Sequence, residues 1–301
     1  MEKPYILHMV TAAKNLSPFD VNMAVDAGWT NCVPYTSVES EEVQALVQDA
    51  IFSRGPSGVK RTGMFFGGRD MHIAMDMLKI CQNSMVPPFE ISGFADPSGA
   101  FTTAAGMVAK VEKALKEIHN TDFKDKCVLA LGGTGPVGMA AALIAAKQGA
   151  KVKIMGRQKD NAQRVAELCN EKYGSNMTGI QGEAVNMLDS FLDEVDVVFA
   201  TAAAGVQVMS AEQVKLASQL KVAADVNAVP PSGIAGVGVM DDCVAIEGSA
   251  SGAVGIGALA IGNAKYQTQH RLLKAMCTTD KPVYYHFEHA FKMAREFVAE
   301  K

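Results

Sequence analysis

Short apolar runs alternate along this chain with longer stretches whose apolar residues recur every three or four positions, the pattern of strands feeding helices. In the first third, runs at residues 5–10, 32–35, 63–66 and 89–94 predict strands. Between them, Ser17-Pro18 supplies an N-cap with proline at the first helical position ahead of a helix over 19–27, and residues 37–51 and 70–81 carry helical spacing. A long helix rich in Ala, Met, Val and Lys is predicted over 98–119. Strand-like runs then begin at Cys127, Lys151, Thr178, Asp196, Lys221 and Cys243, the six strands of a complete doubly wound sheet. The small residues of 252–264 predict a tightly packed inner helix, and 266–300 reads as mostly helical.

This alternation predicts an α/β protein, a Rossmann-type doubly wound parallel sheet preceded by an N-terminal α/β substrate lobe. The 301 residues suit two lobes, since single cores rarely grow beyond about 250 to 300 residues. The expected division is a substrate domain at 1–122, a dinucleotide domain at 123–265 and a helical segment at 266–301 that packs back on the lobes.

The sharpest local signal follows the run at Cys127: Gly132-Gly133-Thr134-Gly135-Pro136-Val137-Gly138, opening an Ala-rich helix. In such a loop Gly133 allows the tight turn, Gly135 lets backbone approach a pyrophosphate, and Gly138 lets the helix pack close to the strand. Thr134, Pro136 and Val137 complete the expected cofactor loop. Where the next strand ends, the acid that would accept from the ribose of NAD is absent, and Arg157 and Lys159 stand in its place. A guanidinium with a nearby ammonium suits a 2'-phosphate, so NADP is the expected cofactor and NAD remains possible. The plainer reading is two solvated charges at a helix start. Thr201 and Ala202 follow the fourth strand, where a backbone turn is expected on the nicotinamide side.

Charge and composition narrow the partners. With 28 basic and 32 acidic side chains and a net charge of -4, the chain has no basic block to track a phosphate backbone, which argues against nucleic acid and for a small molecule. Six cysteines without a Cys-x-x-Cys pair read as reduced core residues. His286 and His289 share a helix face but lack a third ligand, so no metal is expected. No run approaches a membrane span and the start lacks a signal-peptide pattern, so a cytoplasmic protein is expected.

Several segments occur jointly: Ser17-Pro18-Phe19-Asp20, Phe65-Phe66-Gly67-Gly68-Arg69-Asp70-Met71, Asp96-Pro97-Ser98-Gly99-Ala100-Phe101-Thr102-Thr103, the glycine loop, Ala224-Asp225-Val226-Asn227-Ala228-Val229-Pro230-Pro231 and Gly252-Ala253-Val254-Gly255-Ile256-Gly257. On these the chain resembles the NAD(P)-dependent methylene-tetrahydromethanopterin dehydrogenases of methylotrophic bacteria, over residues 5 to about 270. The resemblance implies a homo-oligomeric enzyme of one-carbon metabolism. It would remove a hydride from its pterin substrate to give the methenyl product and reduced nicotinamide, with Asn227 on the cofactor side. The close alternative is a methylene-tetrahydrofolate dehydrogenase. An alternative of another class is a noncatalytic NADP(H)-binding sensor or scaffold. The Tyr-x-x-x-Lys pattern of the bifunctional folate enzymes is missing, so cyclohydrolase activity is not expected, and Glu247 stands near where the folate-using sister enzyme carries a lysine.

Loss of hydride leaves a cation spread over N–C–N and moves no proton, so the site must align its reactants and tolerate positive charge. That directs attention to carboxylates. Asp20 and Glu247 are expected to orient the pterin or stabilise the cation, with Asp96, Thr102 and Thr103 binding substrate, each carboxylate at a strand's carboxyl end facing a crevice. The structural alternatives are a first-turn helix acid for Asp20, an Asx-turn ahead of Ser98 for Asp96 and a surface acid for Glu247.

Overall fold

A computed structural model describes residues 3–174 and 179–300. They form two compact units, one comprising the chain up to Thr102 with Tyr266–Met293, the other Thr103–Lys265 with the residues from Ala294 onward.

The first unit opens with β1 (Ile6–Val10), α1 (Pro18–Asp26), β2 (Asn31–Tyr35), α2 (Val43–Phe52), the short α3 (Gly55–Val59), β3 (Thr62–Phe66), α4 (Met71–Asn83) and β4 (Ser92–Ala95). Helix α5 (Ala100–Glu117) then carries the chain into the second unit. β3 is central to its sheet and all five of its residues are buried, so apart from Thr62 it carries no polar side chain. At α4, Asp70 caps the first turn by accepting from the amides of His72 at 2.8 Å and Ile73 at 3.1 Å, and the helix turns Met71, Ala74, Met77, Leu78 and Cys81 inward. At α1 the expected cap is only partly realised: Pro18 takes the first position, but the Ser17 side chain makes no capping hydrogen bond.

The second unit runs β5 (Cys127–Leu131), α6 (Pro136–Lys147), β6 (Lys151–Gly156), α7 (Lys159–Tyr173), β7 (Gln181–Ala184), β8 (Val197–Ala200), α8 (Ala211–Leu216), β9 (Val222–Asp225), β10 (Asp242–Ala245) and β11 (Val254–Ile256). Of the expected strand starts, Thr178 lies outside the described residues. Its strand order is β10-β11-β9-β8-β5-β6-β7, parallel throughout except for β10, which is antiparallel to β11.

Here the structure corrects the inner helix predicted over 252–264. Gly252 adopts φ +72, residues 254–256 enter the sheet as β11 beside β9, and the helix begins only at Ala258. Small residues signal close packing by strand and helix alike, and Gly255 serves the strand: a Cβ there would meet the Val237 side chain at 3.1 Å.

The chain closes with α9 (Ala258–Thr278), β12 (Tyr284–Tyr285) and α10 (Phe287–Ala299). β12 interrupts the expected helical ending and pairs parallel with β4. The first unit therefore carries a wholly parallel sheet in the order β12-β4-β3-β1-β2. Within that unit the buried Trp29 indole donates to the Leu273 carbonyl of α9 at 3.1 Å. Among the described residues, no helix is long and apolar enough to cross a membrane.

Candidate active site

In the second unit the turn between β5 and α6 is built by close backbone approach. Gly132 has φ +74, and a Cβ on it would lie 2.6 Å from both N and Cα of Ala202. The left-handed residue is thus Gly132, one position before the glycine expected to make the turn. Gly133 is required for a different reason, since its Cβ would fall 2.5 Å from the Ala130 carbonyl oxygen. Gly138 has its expected role: a Cβ there would sit 2.5 Å from Gly133 Cα and 2.7 Å from the Thr201 hydroxyl, so α6 rests directly on the turn.

Gly135 is the N-cap of α6, makes no side-chain cap and is followed by Pro136 at the first helical position. The nearest atom to a Cβ on Gly135 would be the Gly132 carbonyl oxygen at 3.6 Å, so backbone can be approached on that side. The first-turn amides of α6, Val137 and Gly138 among them, have no carbonyl of their own helix to reach, and the positive end of the dipole lies there. This cradle fits the pyrophosphate of a dinucleotide. Thr134 turns its methyl towards Gly156, where an added Cβ would be 2.9 Å away.

On the adenosine side, Arg157 is exposed immediately after β6, where an acid would select NAD. Lys159 opens α7 and its ammonium lies 3.2 Å from the Glu183 carboxylate of β7. The guanidinium is therefore the main candidate for a 2'-phosphate, and the lysine is already paired.

Beyond β8 and β9 a polar network fixes two loops. The amide and the hydroxyl of Thr201 both donate to the Leu131 carbonyl, at 2.8 and 3.0 Å. Asn227 Oδ1 accepts from the amides of Gly205 at 3.1 Å and Val229 at 2.9 Å, while its Nδ2 donates to the Pro231 carbonyl at 2.8 Å. The buried Asp225 carboxylate accepts from the amides of Asn227, Gly233 and Ile234 at 2.9, 2.6 and 3.1 Å. Burial pushes the Asp225 carboxyl up, and these three donors pull in the opposite direction. The Thr201 and Asn227 side chains thus order the turn that carries Ala202, so a cofactor there meets backbone. Asp225 was not singled out from sequence. Its place two residues before Asn227 was visible, but the three amides it organises were not.

Glu247 departs from its expected position. It is exposed in the turn between β10 and β11, where the Ile246 amide donates to the Ala253 carbonyl at 2.9 Å. Because β11 begins in register with the start of β9, this turn lies at the amino edge of the sheet, whereas the glycine loop leaves the carboxyl edge. The antiparallel direction of β10 puts Glu247 there. This favours the surface acid over the site carboxylate.

In the first unit, Asp20 is buried in the first turn of α1, and its Oδ1 accepts a 2.9 Å hydrogen bond from Gln269 Nε2 of α9. Asp96 is fully buried after β4 and caps the first turn of α5. Its Oδ1 accepts from the amides of Phe101 and Thr102 at 2.9 and 3.2 Å, and its Oδ2 accepts from the Thr102 hydroxyl at 2.6 Å. Asp96 and the buried Thr102 thus bind each other at the start of α5, and half-buried Thr103 follows them. Asp20 and Asp96 both follow strands at the carboxyl edge of the first sheet. Gln269 was missed because Gln267, His270 and Arg271 around it read as an ordinary solvated helix face.

Comparison with known proteins supplies the family. The N-terminal family of methylene-tetrahydromethanopterin dehydrogenases matches residues 18–98. The NAD(P)-dependent methylenetetrahydromethanopterin dehydrogenase of Methylorubrum extorquens is 42% identical over 292 residues, covering 97% of this chain and 98% of its own. The chain belongs to this dehydrogenase family. A second relative, the bifunctional protein MdtA of the same organism, is 31% identical over 93% of this chain and 94% of its own. The shikimate / quinate 5-dehydrogenase family matches residues 112–242. Among solved structures, quinate dehydrogenase from Corynebacterium glutamicum aligns with a TM-score of 0.55 at 14% identity, over 98% of this chain and 99% of its own. Shikimate 5-dehydrogenase from Listeria monocytogenes aligns with a TM-score of 0.52 at 16% identity, over 96% of each chain. At such identities these two likenesses show the fold.

Proposed function

We propose that this chain removes a hydride from methylene-tetrahydromethanopterin and passes it to NADP, accepting NAD as well, to give methenyl-tetrahydromethanopterin in the cytoplasmic oxidation of one-carbon units. The observation that carries this reading is the 42% identity over nearly the whole of both chains with a methylenetetrahydromethanopterin dehydrogenase. The preference for NADP rests on Arg157 standing where an acid would select NAD.

When bound, NAD(P) supplies the hydride acceptor. Gly135 and the first-turn amides of α6 would hold its pyrophosphate, Arg157 would hold the 2'-phosphate, and the backbone at Thr201 and Ala202, in the turn that Asn227 helps order, would face the nicotinamide side. Residues 1–122 take the pterin and residues 123–265 the dinucleotide. The carboxylate of Asp20 supplies the negative field that favours the N–C–N cation, and its burial strengthens that field. Asp96 and Thr102 hold the start of α5 in place, with Thr103 offering its hydroxyl to the ring. The hydride takes both electrons of the breaking C–H bond, so no general acid or base is assigned. The chain works as a homo-oligomer, which light scattering of the purified protein checks.

The test is the initial rate of nicotinamide reduction by purified protein with methylene-tetrahydromethanopterin or methylene-tetrahydrofolate, each with NADP and then NAD. Turnover with the methanopterin substrate and faster rates with NADP are expected. Comparable folate turnover would move the assignment to the folate enzyme, and nucleotide binding without any turnover would make the chain a sensor.

A further inference from the structure

We propose that Gln269 is a positioning residue that holds the Asp20 carboxylate in its working orientation, an inference that rests on the assignment of Asp20 to the pterin site. The Gln269 side chain is fully buried and its Nε2 donates to Asp20 Oδ1 at 2.9 Å. An ionised carboxylate only accepts, so this contact fixes which end of the amide is nitrogen and leaves Oε1 as the other end. Gln269 Oε1 is buried and has no hydrogen-bond partner among the described residues.

A buried acceptor without a donor costs stability, and an apolar side chain of the same length would pack there without that cost. Gln269 therefore contributes little to the fold at its oxygen, and its nitrogen acts on Asp20. The donor's chemistry matches the reaction. A lysine or arginine in this place would also orient Asp20 but would cancel the negative charge that the N–C–N cation needs. A neutral amide fixes the carboxylate and leaves its charge intact.

A double-mutant cycle with Gln269→Met and Asp20→Asn tests this, read by steady-state kinetics with methylene-tetrahydromethanopterin and by thermal melting. Gln269→Met is expected to lower kcat about tenfold or more, with the KM for NADP unchanged and a Tm below that of the native protein, because the buried Asp20 carboxylate loses this donor. In the Asp20→Asn background the same change should lower kcat no further. An unchanged kcat, or effects that multiply in the double variant, would overturn the role. Should Gln269→Met fail to fold, Gln269→Asn withdraws the amide by one methylene and is read in the same way. A native enzyme that does not turn over the pterin overturns the functional assignment and this inference together, whereas native turnover with an unaffected Gln269→Met variant overturns this inference alone.

Discussion

Gly132 and Ala202 approach so closely that a side chain on the glycine would overlap its neighbour's backbone, with a Cβ placed 2.6 Å from Ala202 Cα. The first connection of the sheet and the turn after its fourth strand in sequence are thereby locked into one surface, the one assigned here to the dinucleotide.

Gly132→Ala is accordingly expected to damage both stability and binding. The backbone strain at φ +74 alone costs on the order of 1–3 kcal/mol, and the overlap with Ala202 adds to it. Thermal melting with and without NADP checks this. A variant with native Tm and native stabilisation by NADP would show that the turn relaxes freely.

Arg157→Ala is expected to raise the KM for NADP while leaving that for NAD nearly unchanged. A charge-assisted hydrogen bond contributes about 1.5–3 kcal/mol, equivalent to roughly 10- to 150-fold. Steady-state kinetics with both nucleotides decide it, and equal effects on the two would remove Arg157 from the 2'-phosphate site.

Glu247→Gln is expected to leave kcat and both KM values near native, because Glu247 lies at the sheet edge opposite the glycine loop. Exposed substitutions of this kind usually change stability by less than about 0.5 kcal/mol. A marked fall in kcat would return Glu247 to the site.

Stability should fall with acidification below pH 6.5. Burial and then the nearby Arg54 hold the His8 imidazole below its ordinary value of 6.5, while the unfolded chain titrates at that value. Between the two the unfolded state binds more protons, so the contribution of His8 is present above pH 6.5 and is lost as pH falls through the folded value. His119 and His289 are shifted the same way, each mainly by burial. His8→Gln should flatten part of the Tm profile in this window, and superimposable profiles would show that His8 does not contribute.

The dinucleotide cradle was legible in the sequence because everything that makes it is local: a strand, a glycine turn and an Ala-rich helix follow one another from Cys127 to Lys147. The positive φ still fell at Gly132 rather than Gly133, since the Gly-Gly pair fits two turns equally well until Ala202 is brought against one of them. The Asp96 segment stands out in the sequence, whereas the binding of both its carboxylate oxygens to the start of α5 is visible only in the folded chain.

The sequence by itself determined the α/β class, the strand-turn-helix that fits a pyrophosphate and the exchange of an acid for Arg157, because periodicity and turn chemistry act over a few residues. Tertiary structure alone decided that β11 enters between β9 and β10, that Glu247 is thereby carried to the far edge, and that Gln269 meets Asp20 across 249 residues. Strand order and side-chain pairing across such distances follow from how whole layers pack, and a buried glutamine has the same local sequence as an exposed one.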